Sequence, residues 1–239
     1  MCNVKCGMNL DLYVDTSRKG VSMALASACN TADGSQPRVY EEIVNPDGRG
    51  EILGASLDEL LARVHATLDD VKRVMVTLGP GSFSGLRTGV AFCQGLCFSG
   101  KRELYGVTTL QALACFGAFG DPKNASGDPQ QNAAQHAVAV VIRARNGFWY
   151  LRLNGEESFI ETPDVVTRIK NAQVKTVVAD SPAIADETLK AVFEEIGAKV
   201  DPDTGLPLDR WAPLFQTVKP SLIQEANYIQ PSYFEKLNT

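Results

Sequence analysis

Residues 79–89 read Gly79, Pro80, Gly81, Ser82, Phe83, Ser84, Gly85, Leu86, Arg87, Thr88, Gly89, between a Val- and Met-rich run and an apolar helical pattern. Strand, glycine-rich turn and helix in that order build phosphate cradles, because free N–H groups at a helix start favour an anion. Three standard forms of that chemistry are excluded. A Walker loop needs a Lys after its second glycine, where this chain has Leu86 and Arg87 after Gly85. A dinucleotide fingerprint needs small residues where Pro80 and Phe83 stand. A nucleophile elbow needs glycine two residues either side of its serine, which neither Ser82 nor Ser84 has. A structural turn with a packing helix and an anion-binding turn both stay open. Asp15, followed by Thr16 and Ser17 at a strand end, is the second candidate. Such a carboxylate can serve a phosphate-bound metal, or it can close a turn through its own side chain.

Other chemistry is poorly supplied. His65 and His136 are the only histidines and lie on separate segments without paired metal-helix spacing, and no serine–histidine arrangement stands near them. The six cysteines are Cys2, Cys6, Cys29, Cys93, Cys97 and Cys115, with no C-x-x-C pair. Cys93 and Cys97 lie one helical turn apart on an apolar stripe and read as buried reduced thiols. With 28 acidic against 23 basic residues the formal charge is −5, and no dense Lys or Arg cluster is present to neutralise a phosphate backbone. Autonomous nucleic-acid binding is therefore not expected. At 239 residues with 44% hydrophobic content, the chain can bury one large core or two smaller ones. No secretory apolar region precedes residue 20 and no apolar run approaches the ~20 residues of a membrane helix, so a cytoplasmic protein is expected.

The elements that must position these residues follow from periodicity. Strands are predicted near 9–15, 20–28 and 38–44, then a helix over 56–68 with Ser56 and Glu59 as its capping box. A buried strand over 72–78, a helix over 84–98 and a strand near 104–107 complete a β-β-β-α-β-α order. On the 84–98 helix Leu86, Val90, Cys93 and Cys97 form one stripe, with Gly85 and Gly89 on a neighbouring line. Each helical glycine costs about 1 kcal/mol against alanine, so another backbone is expected to approach closely there. Residues 119–135 lack periodicity and read as a mobile connection. Beyond it a hairpin turns at Asn146–Gly147, a helix opens at Thr162–Pro163, a strand follows near 174–179 and a helix near 183–196.

The stretch from Gly79 to Gly89, with Val90, Ala91, Phe92, Gln94 and Gly95 after it, resembles the signature of the TsaB (YeaZ-like) family, GPGSFTGLR, with Ser84 in place of threonine. Val14 to Ser17 resembles the family's opening strand and D-T-S turn, and Gly106 to Ala114 resembles its G-V-[ST]-[ST]-L-x-A-L-A segment. The resemblance spans residues 8–115 and implies the actin-like, sugar-kinase-like (ASKHA, RNase H-type) fold, with two βββαβα subdomains. The expected division is an N-terminal extension over 1–7 with Met8 as a start, a first subdomain over 8–115, a connection over 116–136, and a smaller second subdomain over 137–239 whose tail can return to the first.

The function the resemblance implies is noncatalytic support of TsaD, the subunit that transfers a threonylcarbamoyl group to the adenosine beside the anticodon of certain tRNAs. In the family, helices of the first subdomain form the heterodimer contact, which nominates Gly85, Arg87, Gly89 and Phe92 as partner-facing residues. A TsaE-like ATPase and a homodimer of the isolated chain are further expected associations. No cofactor is expected in the isolated chain, with ATP or another nucleotide reserved for the complex. The chain departs from the family pattern at Gly54 to Glu59, where no histidine enters the helix, at Arg143, where an acidic residue is common, and at Tyr228–Ile229–Gln230, which replaces Tyr-Leu-Arg. The alternative is an actin-like ATPase or phosphoryl-transfer enzyme, with Asp15, Thr16 and Ser17 and the Gly79 to Gly85 loop around the phosphates.

Overall fold

The structure, a computed structural model, describes residues 9–27, 39–45, 47–48, 50–118, 138–203 and 211–229. The expected extension over 1–7, most of the expected connection, and Cys2, Cys6, Cys29 and His136 lie outside these residues. The chain divides into two compact units, residues 1–108 with 208–226, and residues 109–207 with 227–239.

In the first unit β1 (Leu10–Asp15), β2 (Val21–Ser27) and β3 (Val39–Asn45) run antiparallel, while β4 (Val71–Thr77) and β5 (Glu103–Val107) join parallel to β1. The sheet order is β3-β2-β1-β4-β5. Strand alternation gives the sheet two buried faces. On one, Leu12, Val14, Met23, Val74 and Val76 pack against α1 (Leu53–Arg63) and α2 (Phe83–Cys97) through Leu57, Leu60, Val90 and Cys93. The tail covers the other. Trp211 is fully buried with its ring 6.1 Å from Tyr13, Phe215 meets Tyr105 edge-on at 4.8 Å, and the Arg73 guanidinium lies 4.1 Å over Phe215. Arg73 also donates twice to the fully buried Asp11, at 2.7 and 2.6 Å. Burial works against the Arg73 charge, and the Asp11 bond and charge outweigh it, so its pKa is raised.

The first helix differs from the expectation. It starts at Leu53, three residues before the proposed cap, and Ser56 is buried within it, so no box forms with Glu59. The capping box stands instead at Thr67 and Asp70, where a short 3-10 turn leads into β4 and the Asp70 carboxylate accepts from the Thr67 N–H and hydroxyl at 2.8 and 2.9 Å.

The second unit opens with α3 (Thr109–Ala118), a helix the sequence reading did not separate from the first unit; it contacts β6 (Val138–Arg145), β7 (Phe148–Leu153) and β9 (Thr176–Ala179). β8 (Glu156–Glu161) and β10 (Lys199–Pro202) complete a sheet of order β10-β9-β6-β7-β8. Trp149, Leu151 and Val177 pack on one face against α4 (Thr162–Ala172) and α6 (Glu187–Glu195) through Val165, Ile169, Leu189 and Phe193. The helix expected over 183–196 is broken into α5 (Ser181–Ala185) and α6, because the Asp186 carboxylate accepts from the Thr188 and Leu189 N–H groups and starts a new helix. The two sheets thus repeat one strand order, the paired βββαβα arrangement expected of the actin-like fold.

Candidate functional site

The carboxyl ends of β1 and β4 meet where the chain leaves the sheet centre in opposite directions, the switch point at which open α/β sheets place their ligands. Asp15 ends β1 there, but it is only 4% exposed. Its Oδ1 accepts from the Ser17 N–H at 2.9 Å, the Ser17 hydroxyl at 2.7 Å and the Thr77 hydroxyl of β4 at 2.7 Å. Three internal donors on one oxygen make Asp15 a stitch between β1, its own turn and β4.

The glycine loop closes over that turn. The Ser82 N–H donates to the Ser17 carbonyl at 2.6 Å, and a Cβ built on Gly81 would stand 2.0 Å from that same oxygen. Ser82 caps α2 with its hydroxyl, which accepts from the Gly85 N–H at 3.3 Å. One turn further, a Cβ on Gly85 would lie 2.2 Å from the Thr16 carbonyl oxygen, and one on Gly89 would lie 2.1 Å from the Thr16 hydroxyl. The close approach that the two glycines call for is therefore made by the chain's own Thr16. This corrects the expectation of a partner backbone at that line: Gly89 is buried and Gly85 half-buried beneath residues 16 and 17. Asp15, Thr16, Ser17, Gly85 and Gly89 come together as one packed unit.

Of the other nominated residues, Phe92 is half-buried and packs on the core, so it does not stand free as an anchor. Arg87 is exposed, its guanidinium 4.2 Å over the ring of Phe83, which is itself 56% exposed. The outward line of α2 instead carries Ser84, Thr88, Ala91, Gly95 and then Phe98, which is 81% exposed. A Cβ on Gly95 would meet nothing within 4 Å. On α1 the outward residues are Gly54, Ala55, Asp58, Glu59, Ala62 and Arg63, with Arg63 paired to Glu59. Two helices on one face of the sheet thus show small side chains to solvent.

A cavity of about 780 Å³ opens against this turn, lined by Thr16, Arg18 and Lys19, by Ser82, Gly85 and Thr88 of the glycine loop and α2, and by Asp47 and Glu51. Its charges are mixed, and Lys19 pairs with Asp47 at 3.2 Å. Among the described residues no group of three His, Cys, Asp or Glu could hold a metal ion. Burial pushes the Cys93 thiol well above its ordinary value and Cys97 up to about 11, so both stay protonated at neutral pH. Arg102, unnoticed in the sequence, is 8% exposed and donates to the Leu68 and Leu96 carbonyls at 2.6 and 3.1 Å. Its signal was weak, the second of two basic residues, Lys101 and Arg102, just past a glycine. Among the described residues no helix is long and apolar enough to cross a membrane.

Comparison with known proteins bears on this geometry. Residues 49–181 match the family model described as TsaD, tRNA N6-adenosine threonylcarbamoyltransferase. The chain is 25% identical over 168 residues to the tRNA threonylcarbamoyladenosine biosynthesis protein TsaB of Escherichia coli, covering 65% of this chain and 63% of that protein. It is 34% identical over 131 residues to the TsaB of Buchnera aphidicola, covering 51% and 58%. The chain thus spans somewhat less than two thirds of these curated relatives. Among solved structures, YeaZ from Pseudomonas aeruginosa superposes with a TM-score of 0.57 at 21% identity, covering 95% of this chain and 100% of that one. A second Pseudomonas aeruginosa structure, an uncharacterised protein with similarity to peptidase YEAZ, gives 0.61 at 20% identity over 93% and 100%. These two likenesses establish the fold. The family match covers more than half of the chain, and this protein belongs to the TsaD family as a member of its TsaB/YeaZ type.

Proposed function

We propose that the chain is an accessory subunit of tRNA threonylcarbamoyladenosine modification, which carries no transferase chemistry of its own and acts by docking on a TsaD-like catalytic subunit. The observation that carries this reading is the closed turn at Asp15. The carboxylate that would serve a phosphate-bound metal already accepts three internal hydrogen bonds, and the Gly79 to Gly85 loop lies against Ser17 with no room for a Cβ. The same bonds weigh against the phosphoryl-transfer alternative, since a metal at Asp15 Oδ1 would have to displace the Ser17 and Thr77 donors. The docking surface is the outward face of α1 and α2, where Ala55, Ala62, Ala91 and Gly95 let a partner helix approach and Phe83 and Phe98 stand as large apolar groups at either end of α2. Nucleotide binding and a TsaE-like ATPase belong to the assembly rather than to a site within this protein, and a homodimer of the free chain would cover the same face when the partner is missing.

Titration calorimetry tests the reading, with a TsaD-like partner in one series and ATP with magnesium in the other. Binding to the partner and no heat from ATP is the expected result. Ala91→Arg should weaken partner binding at least about tenfold while thermal unfolding stays unchanged, as for a residue at the centre of an interface. Heat from ATP alone, without partner binding, overturns it.

A further inference from the structure

The outer face of β7 and β8 carries a feature that the docking role leaves unused. Phe148 and Phe159 stack at 5.0 Å with an interplanar angle of 8°, and Tyr150 leans on Phe159 at 5.7 Å. Arg145, exposed at the end of β6, lays its guanidinium 4.3 Å over Phe148 and 5.4 Å from the Phe159 ring. The register explains the ladder. Arg145 pairs with Phe148, and Tyr150 with Phe159, all on the face opposite the Trp149–Leu151 core. The three rings are half-buried.

We propose that this ladder is a stacking platform for unpaired RNA bases, used on the tRNA once the catalytic partner holds it; the identity of that RNA rests on the accessory-subunit reading above. Flat rings topped by a guanidinium stack any base, since every base has a π-face, and the cation meets the neighbouring phosphate. The charges on the face favour RNA over an apolar protein surface. Among the described residues the Arg145 guanidinium has no carboxylate partner and lies only on rings. Arg152 is neutralised by Glu157 at 3.0 Å. An apolar partner would have to strip water from the Arg145 guanidinium without returning a charge, a costly exchange. The acidic group on this face is Glu161, across the register from Phe148. Its carboxylate accepts from the exocyclic amine of adenine or cytosine, which favours those bases over uracil. The chain's net charge of −5 makes this a supporting contact rather than an autonomous one.

The test uses the full chain with its TsaD-like partner and an unmodified tRNA transcript. Arg145→Glu and Phe148→Leu should each weaken tRNA binding by about tenfold, the loss of one stacked base. Arg145→Glu should also flatten the slope of log affinity against log salt by about one unit. Partner affinity and unfolding temperature should stay unchanged, with Phe148→Leu guarding against a loss caused by folding. Unchanged tRNA affinity in folded variants overturns the platform. So does a fall in partner affinity instead, which assigns the face to a protein contact. Should no heterodimer form at all, the accessory reading fails, and photocrosslinking of a 4-thiouridine-containing single-stranded RNA to the chain alone decides the platform: crosslinks lost in Arg145→Glu sustain it, and their absence from the unsubstituted chain overturns it.

Discussion

The two sheets share one strand order, yet each ties its first strand to its fourth by a different device. In the first unit Asp15 at the end of β1 reaches across to the Thr77 hydroxyl of β4 and is 4% exposed. In the second, Asp180 just after β9 reaches back to the Arg143 N–H at 2.8 Å and caps α5 by accepting from the Ala183 N–H at 2.9 Å. One carboxylate is sealed under a glycine loop, and the other sits half-buried at a Ser-Pro helix start. A carboxylate at this crossing is thus a fastening of the fold in both units. The long glycine motif of the first exists because residues 16 and 17 lie directly on α2, a crowding that Asp180 does not face.

That contrast can be broken at its tightest point. Gly85→Val places a branched side chain on the Thr16 carbonyl, a backbone atom that cannot swing aside. The expected loss is about 4 kcal/mol, at the severe end for a surface-helix position. The counterpart change at the start of α5, Ser181→Val, should cost less than about 1 kcal/mol, since Asp180 rather than Ser181 provides the cap. The two tryptophans allow the units to be read apart, Trp211 in the first and Trp149 in the second, both buried. Urea unfolding of single-tryptophan variants should show Gly85→Val acting on the Trp211 signal. Equal losses from both substitutions would mean that the loops are equally crowded.

The carboxylates give the next contrast. Asp15→Ala leaves the Thr77 hydroxyl and the Ser17 N–H buried without their acceptor, for an expected loss of about 3 kcal/mol. Asp180→Ala removes a half-buried cap and should cost about 1 kcal/mol. A loss of ATP binding with little change in stability on Asp15→Ala would instead revive the phosphate role.

Helix ends differ in the same manner. The end of α2 is held by Arg102, whose removal leaves the Leu96 carbonyl without its donor and the Leu68 carbonyl with the Val71 N–H alone, so Arg102→Ala should cost about 2 kcal/mol. The end of α6 is closed by Gly197 at φ 63°, with the Ala198 N–H donating to the Phe193 carbonyl at 3.0 Å. Gly197→Ala should cost about 1 kcal/mol by forcing a Cβ into the left-handed region.

Much of this was legible in the sequence, and the failures have physical causes. The β-β-β-α-β-α order of the first unit was readable because its strands are rich in Val, Leu and Met and its turns hold glycine. The glycine motif announced a close approach, but a single sequence has no way to say that the neighbour is Thr16, since residues 16 and 89 meet only through the sheet. In the second unit β8 was missed because Glu156 to Glu161 is a charged edge strand whose apolar face is one residue wide at a time. Its signal was the Asn154–Gly155 pair, which takes φ of 52° and 85° and makes the tight hairpin turn between β7 and β8. The helix over 56–68 was found by its stripe but misplaced at both ends: it runs Leu53–Arg63, because a Ser-x-x-Glu pattern inside a helix looks the same as one at its start, and His65 at φ 55° and the Thr67 cap end the helical run that Leu68 was read as continuing. The arginine ladder at Arg145 was hidden by a register shift between Arg143 and Arg145, which turns the side chain onto the aromatic face.

The smallest expected effect separates the two kinds of glycine on α2. A Cβ on Gly95 meets nothing within 4 Å, whereas one on Gly89 meets the Thr16 hydroxyl at 2.1 Å. Gly95→Ala should therefore stabilise the chain by about 0.5 kcal/mol through helix propensity alone, visible as a small rise in the urea midpoint of the Trp211 signal. Gly89→Ala should do the reverse, because the Thr16 side chain must yield to admit the methyl group. A glycine that costs helix stability without saving any packing inside its own chain is best explained by a surface that something else approaches. If Gly95→Ala raises the midpoint and weakens the TsaD-like partner together, Gly95 is held small for the partner and Gly89 for Thr16. If it raises the midpoint and leaves the partner unaffected, the docking face lies elsewhere than the outward line of α2.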